Sequence, residues 1–165
     1  MSTAQQIMEV ASKAMKDRLL DYLLTHHEAL ERTQVNIMRA LGTSQATLAK
    51  HLAEFKGQGL ILERAFGTAV VYDVQYSAVI NQGMAKRYER FDLNQFLGAH
   101  GLQSQDWSGK VFVFGDMVYI FANHTSGFNI GIPMYGKERR ERVEALTLGL
   151  NIEALIVNII RALNA

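Results

Sequence analysis

The chain is predicted to fold as an α+β protein in two parts, and three observations predict it. Apolar residues recur at helical spacing as far as Phe55. Two short β-rich runs then flank Gly67-Thr68, and in the C-terminal half β-branched and aromatic residues flank Gly115-Asp116. The expected architecture is a helical N-terminal domain that closes on a hairpin. A small C-terminal unit follows, built of a β-hairpin or three-stranded antiparallel sheet with a long C-terminal helix.

In the first segment Ile7, Val10, Ala11, Ala14 and Met15 fall at i, i+3, i+4, i+7 and i+8, one face of an amphipathic helix. Leu19, Leu20, Leu23 and Leu24 prolong that side, so the first helix is predicted over about Thr3 to His26. A polar connection, His27 to Arg32, leads to a short helix carrying Val35, Ile37, Met38 and Leu41, with Thr33 as N-cap and Gly42 as its stop. Ser44 caps a third helix whose buried face is Leu48, Leu52 and Phe55, and Gly57 and Gly59 end it. Leu60-Ile61-Leu62 and Val70-Val71-Tyr72 are strand-like and joined by a turn at Gly67-Thr68. Tyr76 to Leu97 is expected to be helical at least from Ala85 to Phe96.

The composition shifts over 98–109, the segment read as a linker between a 1–97 domain and a 110–165 domain. Lys110 to Phe114 and Met117 to Phe121 are predicted to pair as a hairpin about Gly115-Asp116, with a third strand at Phe128 to Ile132 ended by Pro133. The last helix is expected from about Lys137 to Leu163. On it Leu148, Ile152, Leu155, Ile156, Ile159 and Leu163 form one stripe, and Leu146, Leu150 and Val157 form a neighbouring one. At about 100° per residue this arc exceeds half the circumference, more than one small sheet can cover. A partner subunit is the simplest second cover, so a homodimer is expected through that stripe.

Residues 33–74 therefore read as helix, glycine turn, helix, glycine turn, strand, tight turn, strand. The stretch from Leu41 to Val74 resembles the corresponding part of bacterial winged-helix regulators of the ArsR and MarR type. The resemblance is carried by the Leu41-Gly42 turn, the Ser44-Gln45-x-Thr47-Leu48 helix start, Lys50-His51-Leu52, and Gly59-Leu60-Ile61 leading into the hairpin. It implies a winged helix-turn-helix with a recognition helix at about 44–57 and a wing at about 61–74. Seen as an arrangement of elements it extends over about residues 5–76, and the C-terminal half lies outside it.

The physical requirements of such a reader agree. A recognition helix buries one side and offers short polar groups to base edges in the major groove. Thr43, Ser44, Gln45, Ala46, Thr47, Lys50 and His51 lie at the N-terminal end of that helix. Gln45 suits adenine, Ala46 and the Thr47 methyl suit thymine methyls, and Lys50 suits guanine or phosphate. Arg64 and Thr68 on the wing are placed to meet the backbone or the minor groove.

Charge and composition bound the alternatives. Seventeen basic and sixteen acidic residues give a net charge of +1, and Arg32 to Arg64 holds five basic residues (Arg32, Arg39, Lys50, Lys56, Arg64) against Glu54 and Glu63. This is a modest local excess. There are no cysteines, which removes disulfides, thiol nucleophiles and the cysteine ligands common among ArsR-type metal sensors. Glu9, Ser12 and Lys13 interrupt the N-terminal segment, so no signal peptide is read there. No apolar run approaches the roughly 20 residues of a membrane span. A soluble cytoplasmic protein with no membrane partner is expected. His26-His27-Glu28 with Glu31 lacks the second histidine of a zinc helix, and no P-loop, dinucleotide fingerprint or nucleophile elbow is present. No metal, cofactor or catalytic residue is expected, and the protein is not read as an enzyme. The aromatics Phe112, Phe114, Tyr119, Phe121 and Phe128 are read as core.

The leading expectation is a dimeric, sequence-specific double-stranded DNA-binding transcriptional regulator, a repressor in type. Its C-terminal domain serves dimerisation or a small-molecule or protein effector. A second reading is a plasmid or phage replication or partition protein, because the run from Val71 to Phe91, with Tyr72-Asp73-Val74 near its start, resembles the tail of winged-helix plasmid replication proteins, although their Asn-Pro turn is absent. A third is a winged-helix protein–protein interaction module.

Overall fold

The computed structural model describes residues 3–95, 107–115, 117–127 and 129–135. The backbone separates into two compact units, Met1–Val79 and Ile80–Ala165. Among the described residues no helix is long and apolar enough to cross a membrane.

The first unit opens with α1 (Thr3–Thr25), followed by a 3₁₀ turn at Ala29–Arg32, α2 (Gln34–Leu41), α3 (Gln45–Gly57), β1 (Ile61–Phe66) and β2 (Ala69–Val74). The predicted caps are present. The Thr33 hydroxyl accepts from the Asn36 N–H, the Ser44 hydroxyl accepts from the Thr47 N–H, and Gly42 stops α2 in a left-handed conformation. At the end of α3 the Gly59 N–H donates to the Lys56 carbonyl and the Leu60 N–H to the Phe55 carbonyl. This pattern needs a left-handed residue at position 59, and glycine supplies it at φ 73°. It turns the chain from α3 straight into β1.

Leu19, Leu23, Leu24, Ile37, Leu48, Leu60, Ile61 and Val71 are fully or almost fully buried and form the core of this unit. Only the second half of α1 contributes. Ile7, Met8 and Val10 are 64–70% exposed, so the amphipathic face expected along the whole helix is not covered in its first turns. β1 and β2 pair antiparallel about the two-residue turn Gly67-Thr68, from Ile61↔Val74 to Phe66↔Ala69. Thr33 forms a bridge to Val71 on the far side of β2, tying the start of α2 to the hairpin. Arg32 is 4% exposed. Its guanidinium donates to the carbonyls of Leu23 and His26, at the open end of α1, and to the Tyr76 hydroxyl at 2.7–2.8 Å. The cation thus satisfies carbonyls that the helix itself leaves unpaired.

The continuous helix expected from Ala85 to Phe96 is not formed, since of its described residues only 93–95 are helical. α4 spans only Tyr76–Asn81, Gly83 takes φ 73°, and Arg90–Asp92 is a strand, β3. β3 pairs with β4 (Trp107–Phe114) in the register Phe91↔Val111, with Asp92 opposite Lys110. Pairing to the sheet overrides the helical spacing of this segment, and the two compact units divide at Val79–Ile80. Residues 98–106, the rest of the expected linker except Trp107 to Gly109, lie outside the described residues, as does the predicted helix from Lys137 to Leu163.

The second unit holds a four-stranded antiparallel sheet in the order β3-β4-β5-β6, with β5 at Met117–His124 and β6 at Asn129–Tyr135. β4 and β5 pair antiparallel up to Phe114↔Met117, the hairpin pairing the sequence predicts. β6 does not end at Pro133 but continues to Tyr135, with Pro133 opposite Tyr119. β6 is an edge strand, where a residue without an N–H is tolerated. Val111, Phe112, Phe114, Val118, Tyr119 and Ile120 are all buried, so the middle of the sheet is covered on both faces. Phe112 stacks on Phe114, and Tyr88 meets the Phe114 ring edge-on at 5.1 Å. Phe112, Phe114 and Tyr119 are thus core, as read; Phe121 is half-buried, and Phe128 lies outside the described residues.

Candidate nucleic-acid interface

α3 presents the sides its sequence pattern requires. Leu48, Leu52 and Phe55 are 1–3% exposed and point into the first unit, whereas Ser44, Gln45, Ala46, Thr47 and Lys50 are exposed. Thr43 is half-buried. The Ser44 hydroxyl bonds both the N–H and the Oγ1 of Thr47, at 3.2 and 3.0 Å, which fixes the first turn of the helix. Gln45, Ala46 and Lys50 project beside it. Lys50 makes no hydrogen bond or ion pair among the described residues.

His51 departs from the expectation. It is 3% exposed and faces the interior, so it is removed from the outward set. The reason is helical geometry: position 51 follows Leu48 by three residues and precedes Phe55 by four, which sets it on the buried stripe. Burial pushes its imidazole below the usual histidine range, against the opposing pull of Glu54. Glu54 forms an ion pair with Lys16 of α1, and the hydrogen bond from Lys16 holds the carboxyl below its usual range.

The basic residues between Arg32 and Arg64 divide sharply. Arg32 is buried, Lys56 pairs with Glu63 at 3.6 Å, and Arg64 is held by Asp73 at 2.6 Å. Arg39, exposed in the last turn of α2, and Lys50 remain as the cations of this stretch without an ion pair among the described residues. On the hairpin, the Arg64 guanidinium lies 5.9 Å from the centre of the Phe66 ring. Thr68 is exposed at the tip, and Leu62, Phe66 and Val70 are 42–53% exposed around it. α3 and the hairpin are thus consecutive in the chain and joined by the glycine-bearing turn at 57–60.

Three features of this surface were missed from the sequence: the free Arg39, the Asp73 partner of Arg64, and the Lys16–Glu54 tie between α1 and α3. Asp73 was within reach, because a two-residue turn at 67–68 sets Asp73 diagonal to Arg64 on one face of the hairpin. The Lys16–Glu54 pair depends on how α1 crosses α3, and spacing along the chain carries no signal for it.

Elsewhere in the first unit the histidine pair has ordinary roles. His26 stacks on Tyr22 with ring centroids 4.0 Å apart, and His27 Nδ1 lies 3.0 Å from the Tyr76 hydroxyl. Among the described residues no group of three or more His, Asp or Glu side chains is placed to hold a metal ion. The dimerisation stripe Leu148, Ile152, Leu155, Ile156, Ile159 and Leu163 lies outside the described residues. No protein-family model, curated protein or solved structure matches this chain.

Proposed function

We propose that the first unit is a winged helix-turn-helix that binds double-stranded DNA, with α3 as recognition helix and the β1–β2 hairpin as wing, in a sequence-specific transcriptional regulator. One observation carries the reading. α3 buries Leu48, Leu52 and Phe55 and turns Gln45, Ala46, Thr47 and an unpaired Lys50 outward, and a hairpin follows it without an intervening element. The Thr33–Val71 bridge supports it further, since it gives the hairpin a third short contact and fixes it to the start of α2. Side chains of these types at a helix N-terminus match what the major groove presents. Arg39 and Lys50 supply phosphate contacts, and Arg64 joins them only by leaving Asp73.

The regulator acts as a homodimer through Leu148, Ile152, Leu155, Ile156, Ile159 and Leu163, the stripe the sequence predicts, so that two recognition helices read half-sites about one DNA turn, roughly 34 Å, apart. The test is anisotropy of a labelled 40-base-pair duplex with the full-length protein across a range of salt. The reading requires saturable binding whose logarithm falls linearly with the logarithm of salt concentration.

A second reading, a protein–protein module, is favoured by one observation. The hairpin carries Glu63, Arg64 and Asp73, so it has no free positive charge, and it exposes Leu62, Phe66 and Val70. Salt-insensitive, weak association with every duplex is its signature.

A further inference from the structure

His51 is the buried titratable group of α3. Its side chain is 3% exposed, and Nδ1 has no hydrogen-bond partner among the described residues. The facing carboxylate is Glu54, one turn further along the same helix, with Oε2 at 3.9 Å from Nδ1. That carboxylate already serves Lys16, the residue that joins α1 to α3. The charges bearing on the ring are therefore Glu54, which favours a cation there, and Lys16 from α1 and Lys50 from α3, which oppose one.

We infer that His51 is a positioning residue for α3 that keeps the helix seated in the core of the first unit only while its imidazole is uncharged, so that α3 loses its hold on DNA on acidification. The DNA half of this statement rests on the function proposed above; the seating half does not.

The competition lies in the geometry. A protonated His51 has one counter-charge within reach, and 3.9 Å is too long for a hydrogen bond. Glu54 must move by about 1 Å toward the ring to make one. Its Oε2 is also the atom that meets Lys16, so proton uptake and the α1–α3 ion pair draw on the same oxygen. Lys16 itself opposes the imidazolium. The other course is for α3 to lift and give the ring to water. Either course loosens the helix that carries Gln45, Thr47 and Lys50.

The sign follows from burial. The native site takes up the proton less readily than the unfolded chain does, so the contribution of His51 to stability is complete above about pH 6.5. It is lost as pH falls through the native value, which burial sets lower. Positive charge gained on acidification ordinarily strengthens DNA binding, so a loss of affinity is opposite to that trend.

The experiment compares full-length wild type, His51→Gln and Glu54→Gln between pH 7.5 and 5.0. Three readouts are used: the thermal midpoint, the NMR titration of the His51 ring, and anisotropy with a mixed-sequence 40-base-pair duplex at 50 mM salt. In wild type the His51 ring is expected to titrate below pH 6.5, and duplex affinity is expected to fall by about three- to tenfold between pH 7.0 and 5.0, within the limit of about tenfold per pH unit that one linked proton sets. Glu54→Gln removes the counter-charge and is expected to lower the ring titration further. His51→Gln is expected to show a flatter pH dependence of both midpoint and affinity. If His51→Gln does not fold, the wild-type ring titration decides alone. A ring that titrates at or above 6.5, or a His51→Gln protein with the wild-type pH profile, overturns the inference. Absence of duplex binding at every pH overturns the DNA reading, whereas the midpoint and ring titration still decide whether His51 controls the seating of α3.

Discussion

Arg64 and Asp73 face each other across the β1–β2 hairpin in a two-pronged pair, Nε to Oδ2 at 2.6 Å and Nη2 to Oδ1 at 3.3 Å. The one arginine on the hairpin is therefore spoken for by a carboxylate two positions along the neighbouring strand. For a DNA wing this sets a specific condition, since contact with phosphate must displace Asp73.

Asp73→Asn is accordingly expected to strengthen duplex binding and to steepen its salt dependence by about one unit of slope, the signature of one additional phosphate contact. Arg64→Ala in the wild-type background is expected to change the slope less than Lys50→Ala does. Anisotropy titrations at four salt concentrations read both.

Lys50 and Arg39 are exposed and unpaired among the described residues. If each meets phosphate, Lys50→Ala and Arg39→Ala weaken all sequences alike and each reduces the salt slope by about one. An effect of Lys50→Ala confined to one base position instead assigns Lys50 to guanine.

Gln45 and Thr47 are exposed on the first turn of α3 and contribute nothing to the core. Gln45→Ala or Thr47→Ala is expected to relax sequence preference at one position, at a cost of roughly 1–3 kcal/mol to the preferred site. Sequencing of duplexes selected by each variant shows the loss directly, and an unchanged motif removes that residue from the readout.

Ser44 places the same helix. Its hydroxyl caps the Thr47 N–H, so Ser44→Ala is expected to cost about 1 kcal/mol in urea unfolding and to weaken binding through a frayed first turn. Ser44→Asp restores the cap but places a negative charge on the exposed surface proposed to meet DNA. Recovery of stability without recovery of binding is the expected outcome.

Arg32 tests the packing of the first unit independently of DNA. Its replacement by Met leaves the Leu23 and His26 carbonyls and the Tyr76 hydroxyl without their donor. A loss of about 3 kcal/mol is expected in urea unfolding, against about 1 kcal/mol for Tyr76→Phe, which keeps both carbonyl contacts.

The first unit was legible where local chemistry fixes it. Thr33, Gly42, Ser44 and Gly59 mark helix ends by mechanisms confined to a few neighbouring residues, and all act where the sequence pattern puts them. The turn at Gly67-Thr68 likewise sets the whole hairpin register. What failed depends on partners distant in the chain. β3 arises because Arg90–Asp92 finds β4 some twenty residues later, and no spacing within 85–96 announces that. His51 shows the limit within the candidate site. A histidine beside Lys50 reads as part of a polar face, yet the helical period assigns it to the stripe of Leu48 and Phe55. The period, applied strictly, had the information; residue polarity obscured it. In the second unit the sheet core was recognisable, but burial on both faces hid the alternation that distinguishes inside from outside.

The central claim, that α3 and the hairpin read duplex DNA by sequence, is tested most directly by selecting bound duplexes from a randomised library with purified full-length protein at physiological salt. The claim predicts enrichment of an inverted repeat with half-sites about one helical turn apart, and loss of one motif position in the Gln45→Ala selection. Enrichment of direct repeats keeps the DNA reading but moves the role from promoter control to plasmid or phage replication or partition. No enrichment, with only weak and salt-insensitive association, contradicts the claim and assigns the outward face of α3 and the exposed Leu62, Phe66 and Val70 to a protein partner.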